Sequence, residues 1–348
     1  MSNPSTPRIL TPSPAAWDAF VRAQPRAHIL QLADWGALKA EYGWAVERVA
    51  VGGEDGIAAG AQLLFRPLPL GVGTMAYLAM GPYPPIDDDD SIRAALWDAI
   101  HACARRRRAV LLKWEPGIFA PDDSSPNPAA LGFRPAAQTI QPPRTILIDI
   151  TGSDDAILAR MNQGTRRKIR QSLKNGVTYR EAAPPEIARF TAMMHSTGAR
   201  NAFGVHEAAY YERAYALFVP ETAALILAEH EGDALAGVMV FAVGRSAWYL
   251  YGASSDVKRG LMASYGAQWM AIQWAKARGC SSYDLWGIPD ADEAALEAGF
   301  ETRGDGLWGV YGFKRGWGGQ IVRSLGAWDF VYNPTLYAGY QLALLLRG

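Results

Sequence analysis

The sequence lacks the equipment of several common chemistries. It has only two cysteines in 348 residues, Cys103 and Cys280, too few for a disulfide framework or a cysteine zinc site. The five histidines show no metal-ligand spacing, and no Ser/His/Asp or Cys/His order stands out. Neither a GxxxxGK[ST] loop nor a GxGxxG turn after a strand is present. No metal and no organic cofactor are therefore expected. Charge of one sign is also missing in the sum: Lys+Arg 34 balance Asp+Glu 34, which argues against a uniformly basic nucleic-acid binder but leaves room for a local patch. No apolar run approaches the roughly 20 residues of a membrane-spanning helix. The stretch Met1 to Pro14 is rich in Pro, Ser and Thr and has no cationic start followed by an apolar core, so it does not read as a secretory signal. A reduced, cytoplasmic protein is the expectation, with Cys103 packed on the apolar face of a helix.

What is present is a repeat. Trp44 to Val51, Ile57 to Pro67 and Met75 to Met80 read as strands, followed by a helix over Ile92 to Arg106 and a strand over Ala109 to Trp114. The acidic turn Asp87 to Asp90 and the arginines Arg105 to Arg108 suit the two ends of that helix dipole. The order returns in the second half: Leu225 to His230, Ala236 to Val243, Trp248 to Ser254, a helix over Tyr265 to Arg278, and Ser282 to Gly287. Gly299-Phe300-Glu301 even echoes Gly132-Phe133-Arg134. We read a tandem duplication of one α/β (α+β) unit, with strands and helices in layers. A cleft between the copies is the expected ligand site. Helices are also expected over Ala15 to Arg22 and Gln31 to Tyr42, and a further strand over Arg144 to Ile150. The terminal Leu342 to Leu346 reads as the buried end of a closing helix.

Three sets of residues carry chemical interest. Glycines, aromatics and two adjacent cations crowd Gly304 to Gly319, where Lys314 is either a solvated charge on a strand edge or a fixed charge facing a ligand. Arg160 to Arg180 holds Arg166, Arg167, Lys168, Arg170 and Lys174 without an acid among them. It reads as a helix capped by Thr165 with an apolar stripe of Ile169 and Leu173, and is either a solvated face or a polyanion-binding surface. Tyr210-Tyr211 and the pair Tyr249 and Tyr251 are core aromatics or cleft phenols. Strand alternation sets Tyr249 and Tyr251 on one side. Glu115, before Pro116, is a loop carboxylate or a proton acceptor. Lys39 reads as a surface lysine on its spacing alone. Lys258 to Ala263 lies where acyl-coenzyme A acetyltransferases carry a pyrophosphate loop, but its glycine spacing differs.

In order and spacing, Asp34-Trp35-Gly36-Ala37-Leu38-Lys39, the basic helix ending Lys174-Asn175-Gly176-Val177, Tyr210-Tyr211, Trp248-Tyr249-Leu250-Tyr251-Gly252-Ala253-Ser254 and Phe313-Lys314 resemble the Fem family of peptidoglycan aminoacyltransferases. The resemblance runs across nearly the whole chain and fits the compact type without a helical-hairpin arm. It implies two GNAT-like domains: residues 1–150 completed by 320–348 for the peptidoglycan precursor, and 151–319 for aminoacyl-tRNA. It implies transfer of an amino acid from aminoacyl-tRNA to the side-chain amine of the stem peptide in lipid II or UDP-MurNAc-pentapeptide, with peripheral contact at the inner membrane face if the acceptor is lipid-linked. By matching position, Lys39 would hold the precursor diphosphate, His206 would stand where an arginine shares that task, and Tyr210, Tyr249 and Tyr251 would line the acceptor site. Glu115 would lie near the reacting centre, and Phe313 and Lys314 would meet the tRNA acceptor end, Lys314 stabilising the oxyanion. Arg315 and the basic helix would hold tRNA phosphates. An acyl-coenzyme A N-acyltransferase on the same scaffold and a non-catalytic precursor-binding module stand as alternatives.

Overall fold

A computed structural model of the chain describes residues 7–54, 56–84, 89–119, 125–201 and 204–346. Asp87 and Asp88 of the expected acidic turn lie outside them. Along the chain, β1 (Arg8–Leu10), α1 (Pro14–Arg22), α2 (Ala33–Ala40), β2 (Ala45–Gly53), β3 (Gly56–Pro67), β4 (Thr74–Ala79), α3 (Asp90–Arg106), β5 (Ala109–Glu115) and β6 (Arg134–Pro135) come first. Then follow β7 (Arg144–Asp149), α4 (Asp154–Arg160), α5 (Gln163–Lys174), β8 (Thr178–Glu181), α6 (Ile187–Asn201), α7 (Ala208–Phe218), β9 (Ala223–His230), β10 (Asp233–Val243) and β11 (Ser246–Ser254). The last are α8 (Ala263–Ala277), β12 (Ser282–Asp284), α9 (Glu293–Gly299), α10 (Trp308–Lys314), β13 (Gln320–Arg323), β14 (Trp328–Val331) and α11 (Pro334–Leu345).

The chain divides into two compact units, residues 1–141 with 324–348, and 142–323. Unit 1 holds a seven-stranded sheet ordered β1-β2-β3-β4-β5-β14-β6, and unit 2 a second ordered β13-β7-β12-β11-β10-β9-β8. In each, two antiparallel pairings precede a helix and a parallel pairing: β2/β3/β4 then α3 and β5, β9/β10/β11 then α8 and β12. The duplication read from the sequence is thus one strand-and-helix order used twice. Each helix covers its sheet through an apolar face. Leu96, Ile100 and Cys103 of α3 meet Leu63, Leu78 and Leu112 in unit 1; Ala267, Ala271 and Ile272 of α8 meet Ile226, Val238 and Val240 in unit 2. Burial pushes both cysteine thiols up to about 11 and leaves them as packing.

Several expectations need correcting. The strand over Arg144 to Ile150 belongs to unit 2, because β7 hydrogen-bonds to β12 and β13 there, and β13 belongs with it. The basic segment does not stay helical to Arg180. It turns at Gly176, whose φ of 71° suits glycine, and continues as β8. Its N-cap is Asn162, whose side chain accepts from Thr165 N, while Leu173 is exposed and Thr165, Ile169 and Ser172 form the buried face. The glycine-rich run is a short helix, α10, with a 3-10 turn over Arg315–Trp317, and no strand edge. The C-terminal leucines are helical but not buried: Leu345 is 79% exposed, and of α11 only Tyr337 is buried.

Candidate functional site

In unit 2 the parallel partners β11 and β12 pair only from Ser246↔Ser282 to Trp248↔Asp284, whereas β11 stays paired with β10 as far as Ser254. β12 ends at Asp284, and a cavity of about 390 Å³ lies beside the part of β11 beyond Trp248. Tyr249 and Gly252 to Ser254 line it, with the start of α8 (Ala263, Ser264, Tyr265), Gln268, and Val310, Phe313 and Lys314 of α10. Glycine at 252 is required: a Cβ there would fall 1.9 Å from the Tyr249 phenol oxygen.

Lys314 is 6% exposed. Its Nζ donates to the carbonyls of Gly287 at 2.7 Å and Trp286 at 3.3 Å, and lies 5.7 Å from the Tyr249 ring centroid. Those carbonyls come from a tight turn. Trp286 adopts a φ of 60°, costly for a bulky residue, and the turn is held where Trp286 N donates to Asp284 Oδ1 at 2.7 Å. Burial lowers Lys314 to about 8, opposed by the charge of Asp284. Burial raises Asp284 to about 6, opposed by its bonds from Thr145 and Trp286 N and by the Lys314 charge. Gly316 anchors this segment to the start of α5: its carbonyl accepts from Asn162 N at 3.0 Å, and a Cβ would meet Thr165 Oγ1 at 2.2 Å. Phe313 packs edge-on against Tyr265 at 4.9 Å.

The basic helix reaches this cavity. Lys168 donates to the Tyr265 hydroxyl at 3.0 Å and lies over its ring. Arg166, Arg167 and Arg170 line a hollow of about 530 Å³ at the start of α5 with Gln163 and Gly164. Among the described residues, no carboxylate pairs with Arg166, Arg167, Lys168, Arg170 or Lys174. Arg315 differs. It is tied to Glu297 and stacked 4.0 Å over Phe300, so half of its expected role, a free cation for phosphates, is already neutralised.

The alternation expected of Tyr249 and Tyr251 fails. Tyr249 pairs with Val240 but Tyr251 with Met239, so Leu250 is an extra residue, a β-bulge. Tyr249 therefore shares the α8 side with Val240. Tyr251 faces the opposite side, its ring 5.9 Å from Phe241 and 5.3 Å from Tyr211, its hydroxyl 3.3 Å from that of Tyr210. His206 stacks on Tyr210 at 3.7 Å, and its backbone N donates to the Tyr211 hydroxyl. The four substrate-binding groups expected in unit 2 thus divide: Tyr249 joins Lys314, and His206, Tyr210 and Tyr251 form a separate aromatic cluster.

In unit 1, Glu115 ends β5 and is buried. Its carboxylate accepts from Tyr77 Oη at 2.5 Å, Ile140 N at 2.5 Å and Gln141 N at 3.0 Å. Burial raises its pKa against those three bonds. With its oxygens engaged, Glu115 anchors residues 140–141 more evidently than it awaits a proton. Lys39 is half-buried with its Nζ 4.9 Å from the Trp35 ring centroid; burial and the neighbouring Arg66 charge lower it to about 8. Arg66 lies over Trp44, whose ring is 6.1 Å from that of Tyr77.

Sequence reasoning missed Asp284, Gln268 and Arg66. Asp284 ends β12, within an expected strand, where a single carboxylate carries no signal of its own. Gln268 gave no signal, since one amide on an apolar helix looks like solvent-facing filler.

The profile of the FemAB family matches residues 13–126, 131–234 and 229–344. Lipid II:glycine glycyltransferases of Staphylococcus saprophyticus and Staphylococcus aureus are each 26% identical, over 92% of this chain and 92% of theirs. Among solved structures, the crystal structure of FemX shares the fold with a TM-score of 0.84 at 23% identity, covering 95% of this chain and 99% of that one. A tandem GNAT protein from the clavulanic acid biosynthesis pathway superposes with a TM-score of 0.53 at 13% identity, over 94% and 99%. No helix among the described residues is long and apolar enough to cross a membrane.

Proposed function

The chain belongs to the FemAB family and is a transferase, and from that premise we propose that it moves an aminoacyl group from tRNA to the side-chain amine of a peptidoglycan stem peptide. The relatives named for lipid II make the lipid-linked precursor the first acceptor to test.

An aminoacyl ester is already activated, so the protein must mainly position it. The amine nitrogen attacks the ester carbonyl carbon, the C–N bond forms, the C–O bond to the ribose breaks, and the amine proton ends on the ribose oxygen. Negative charge gathers on the carbonyl oxygen in between. The observation that carries this reading is Lys314: an ammonium fixed on two carbonyls, beside the Tyr249 ring, at the wall of a cavity. A preorganised cation in a dry site stabilises such an oxyanion. The unpaired arginines of α5 and Lys168 on Tyr265 provide a path for RNA phosphates beside that cavity. Glu115, held by three donors, acts in this scheme by positioning residues 140–141, and the proton leaves through the RNA ribose.

Charged tRNA, incubated with lipid-linked and nucleotide-linked precursor, should give a product heavier by one aminoacyl residue. An unchanged precursor mass in both cases defeats the reading. One observation favours acyl-coenzyme A: the start of α8 lines the cavity without a side-chain cap. Against it, Lys258 is tied to Glu231 and Asp233 instead of facing a pyrophosphate. Turnover with acetyl-coenzyme A alone would select that alternative.

A further inference from the structure

Gln268 lies on the second turn of α8 and is 0% exposed. Its amide nitrogen donates to the hydroxyl of Tyr283 at 2.8 Å, which fixes the side chain. Its amide oxygen is buried and has no protein partner. A buried polar atom without a partner costs about 1–3 kcal/mol, and such atoms are rare enough in native proteins to require a reason. Two other unpaired buried groups, the indole N–H of Trp274 and of Trp317, belong to residues that do not line the cavity. Gln268 does line it.

Among the described residues the charged side chains lining the cavity are Arg200, Lys258, Arg259 and Lys314, and no carboxylate lines it. Arg200 and Arg259 are paired with Asp256 and Lys258 with Glu231 and Asp233, which leaves Lys314 as the cation without a carboxylate partner at hydrogen-bond distance. A ligand's ester carbonyl is an acceptor and suits Lys314. The unpartnered oxygen of Gln268 suits the opposite kind of group, a ligand N–H. On an aminoacyl ester the donor nearest the reacting carbonyl is the α-amino group, which carries N–H whether protonated or neutral. We propose that Gln268 is a specificity residue that accepts a hydrogen bond from the α-amino group of the transferred aminoacyl residue, separating aminoacyl esters from plain acyl esters. This rests on the aminoacyl-transfer reading above.

The test compares glycyl and acetyl esters on the same RNA, which differ only by the amino group, and reads kcat/KM for each. Because the esters differ in intrinsic reactivity, the quantity compared between proteins is the glycyl-to-acetyl ratio. Gln268→Leu should lower that ratio about ten-fold relative to the unaltered protein. Gln268→Glu, which keeps an acceptor there, should hold or raise it. A ratio unmoved in both variants overturns the proposal, as does an equal loss for both esters, which would mark a structural role. If Gln268→Leu fails to fold by thermal melting, a lowered ratio in Gln268→Glu overturns it as well. Failure of the unaltered protein with the glycyl ester instead removes the aminoacyl reading, and this proposal with it.

Discussion

Each unit buries a lysine near an aspartate, and the two are used differently. Lys113 of unit 1, 2% exposed, donates to Asp329 Oδ1 at 2.8 Å and to the Gln138 carbonyl at 3.0 Å. The second oxygen of Asp329 accepts from the Tyr337 hydroxyl at 3.0 Å. Every charge there is answered by a neighbour, and the group is closed. Lys314 of unit 2 rests on carbonyls instead, with Asp284 near enough to be felt but engaged elsewhere by Thr145 and Trp286 N. Its charge is only partly answered, and it borders a cavity. A paired buried lysine stabilises an arrangement; an underpaired one beside an opening is available to a ligand.

The sharpest break of this comparison is at Lys113. Lys113→Ala leaves Asp329 charged and buried, and should cost about 3–5 kcal/mol of stability by urea unfolding. Next comes Lys314→Ala, expected to lower kcat about 10²–10³-fold while precursor binding, followed by calorimetry, is retained. Equal loss of both would place Lys314 outside the chemistry.

The pH dependence is subtler. On the proposed role of Lys314, transfer requires the charged ammonium, so kcat should fall as pH rises through about 8, where burial makes Lys314 lose its proton. Lys314→Arg should remove that descending limb, and Asp284→Asn, by taking away the charge that supports the ammonium, should move it to lower pH. Stability has the opposite sign. With the folded value below the ordinary 10.5, the unfolded chain holds more protons between about 8 and 10.5, so Lys314 makes the native state gain stability with rising pH there. A pH–stability profile of Lys314→Met lacking that gain would confirm it.

The smallest effects concern RNA phosphates. Arg167→Ala or Arg170→Ala should each reduce the slope of log affinity for tRNA against log salt by about 1. Arg315→Ala should leave the slope nearly unchanged, because Glu297 already answers that charge. A filter-binding series across salt concentrations separates the two cases.

Much of this was legible in the sequence, for identifiable reasons. The repeated strand-and-helix order is written in apolar periodicity, which survives duplication. Lys314 announced itself because a cation among glycines and aromatics is unusual. What was not legible depends on exceptions to periodicity or on distant partners. Leu250 looks like any strand residue, so the bulge that divides Tyr249 from Tyr251 was invisible. Glycines at 309, 312 and 316 suggested turns, yet α10 forms with its C-terminal end fixed through Gly316 to Asn162 and through Lys314 to the turn at Trp286. The C-terminal leucines read as core because hydrophobicity alone does not say whether a partner surface exists.

The single extra residue in β11 has a consequence for how this protein can diverge. By rotating the strand halfway along its length, it assigns neighbouring tyrosines to opposite sides of one sheet, with separate surroundings. Substitutions around Tyr251, Tyr210 and His206 can accumulate without touching the packing of Lys314, and the reverse holds for changes near Tyr249. Selection can retune either side independently, and because Leu250 is the extra residue, its deletion would restore a regular register and still leave Tyr249 and Tyr251 on opposite faces.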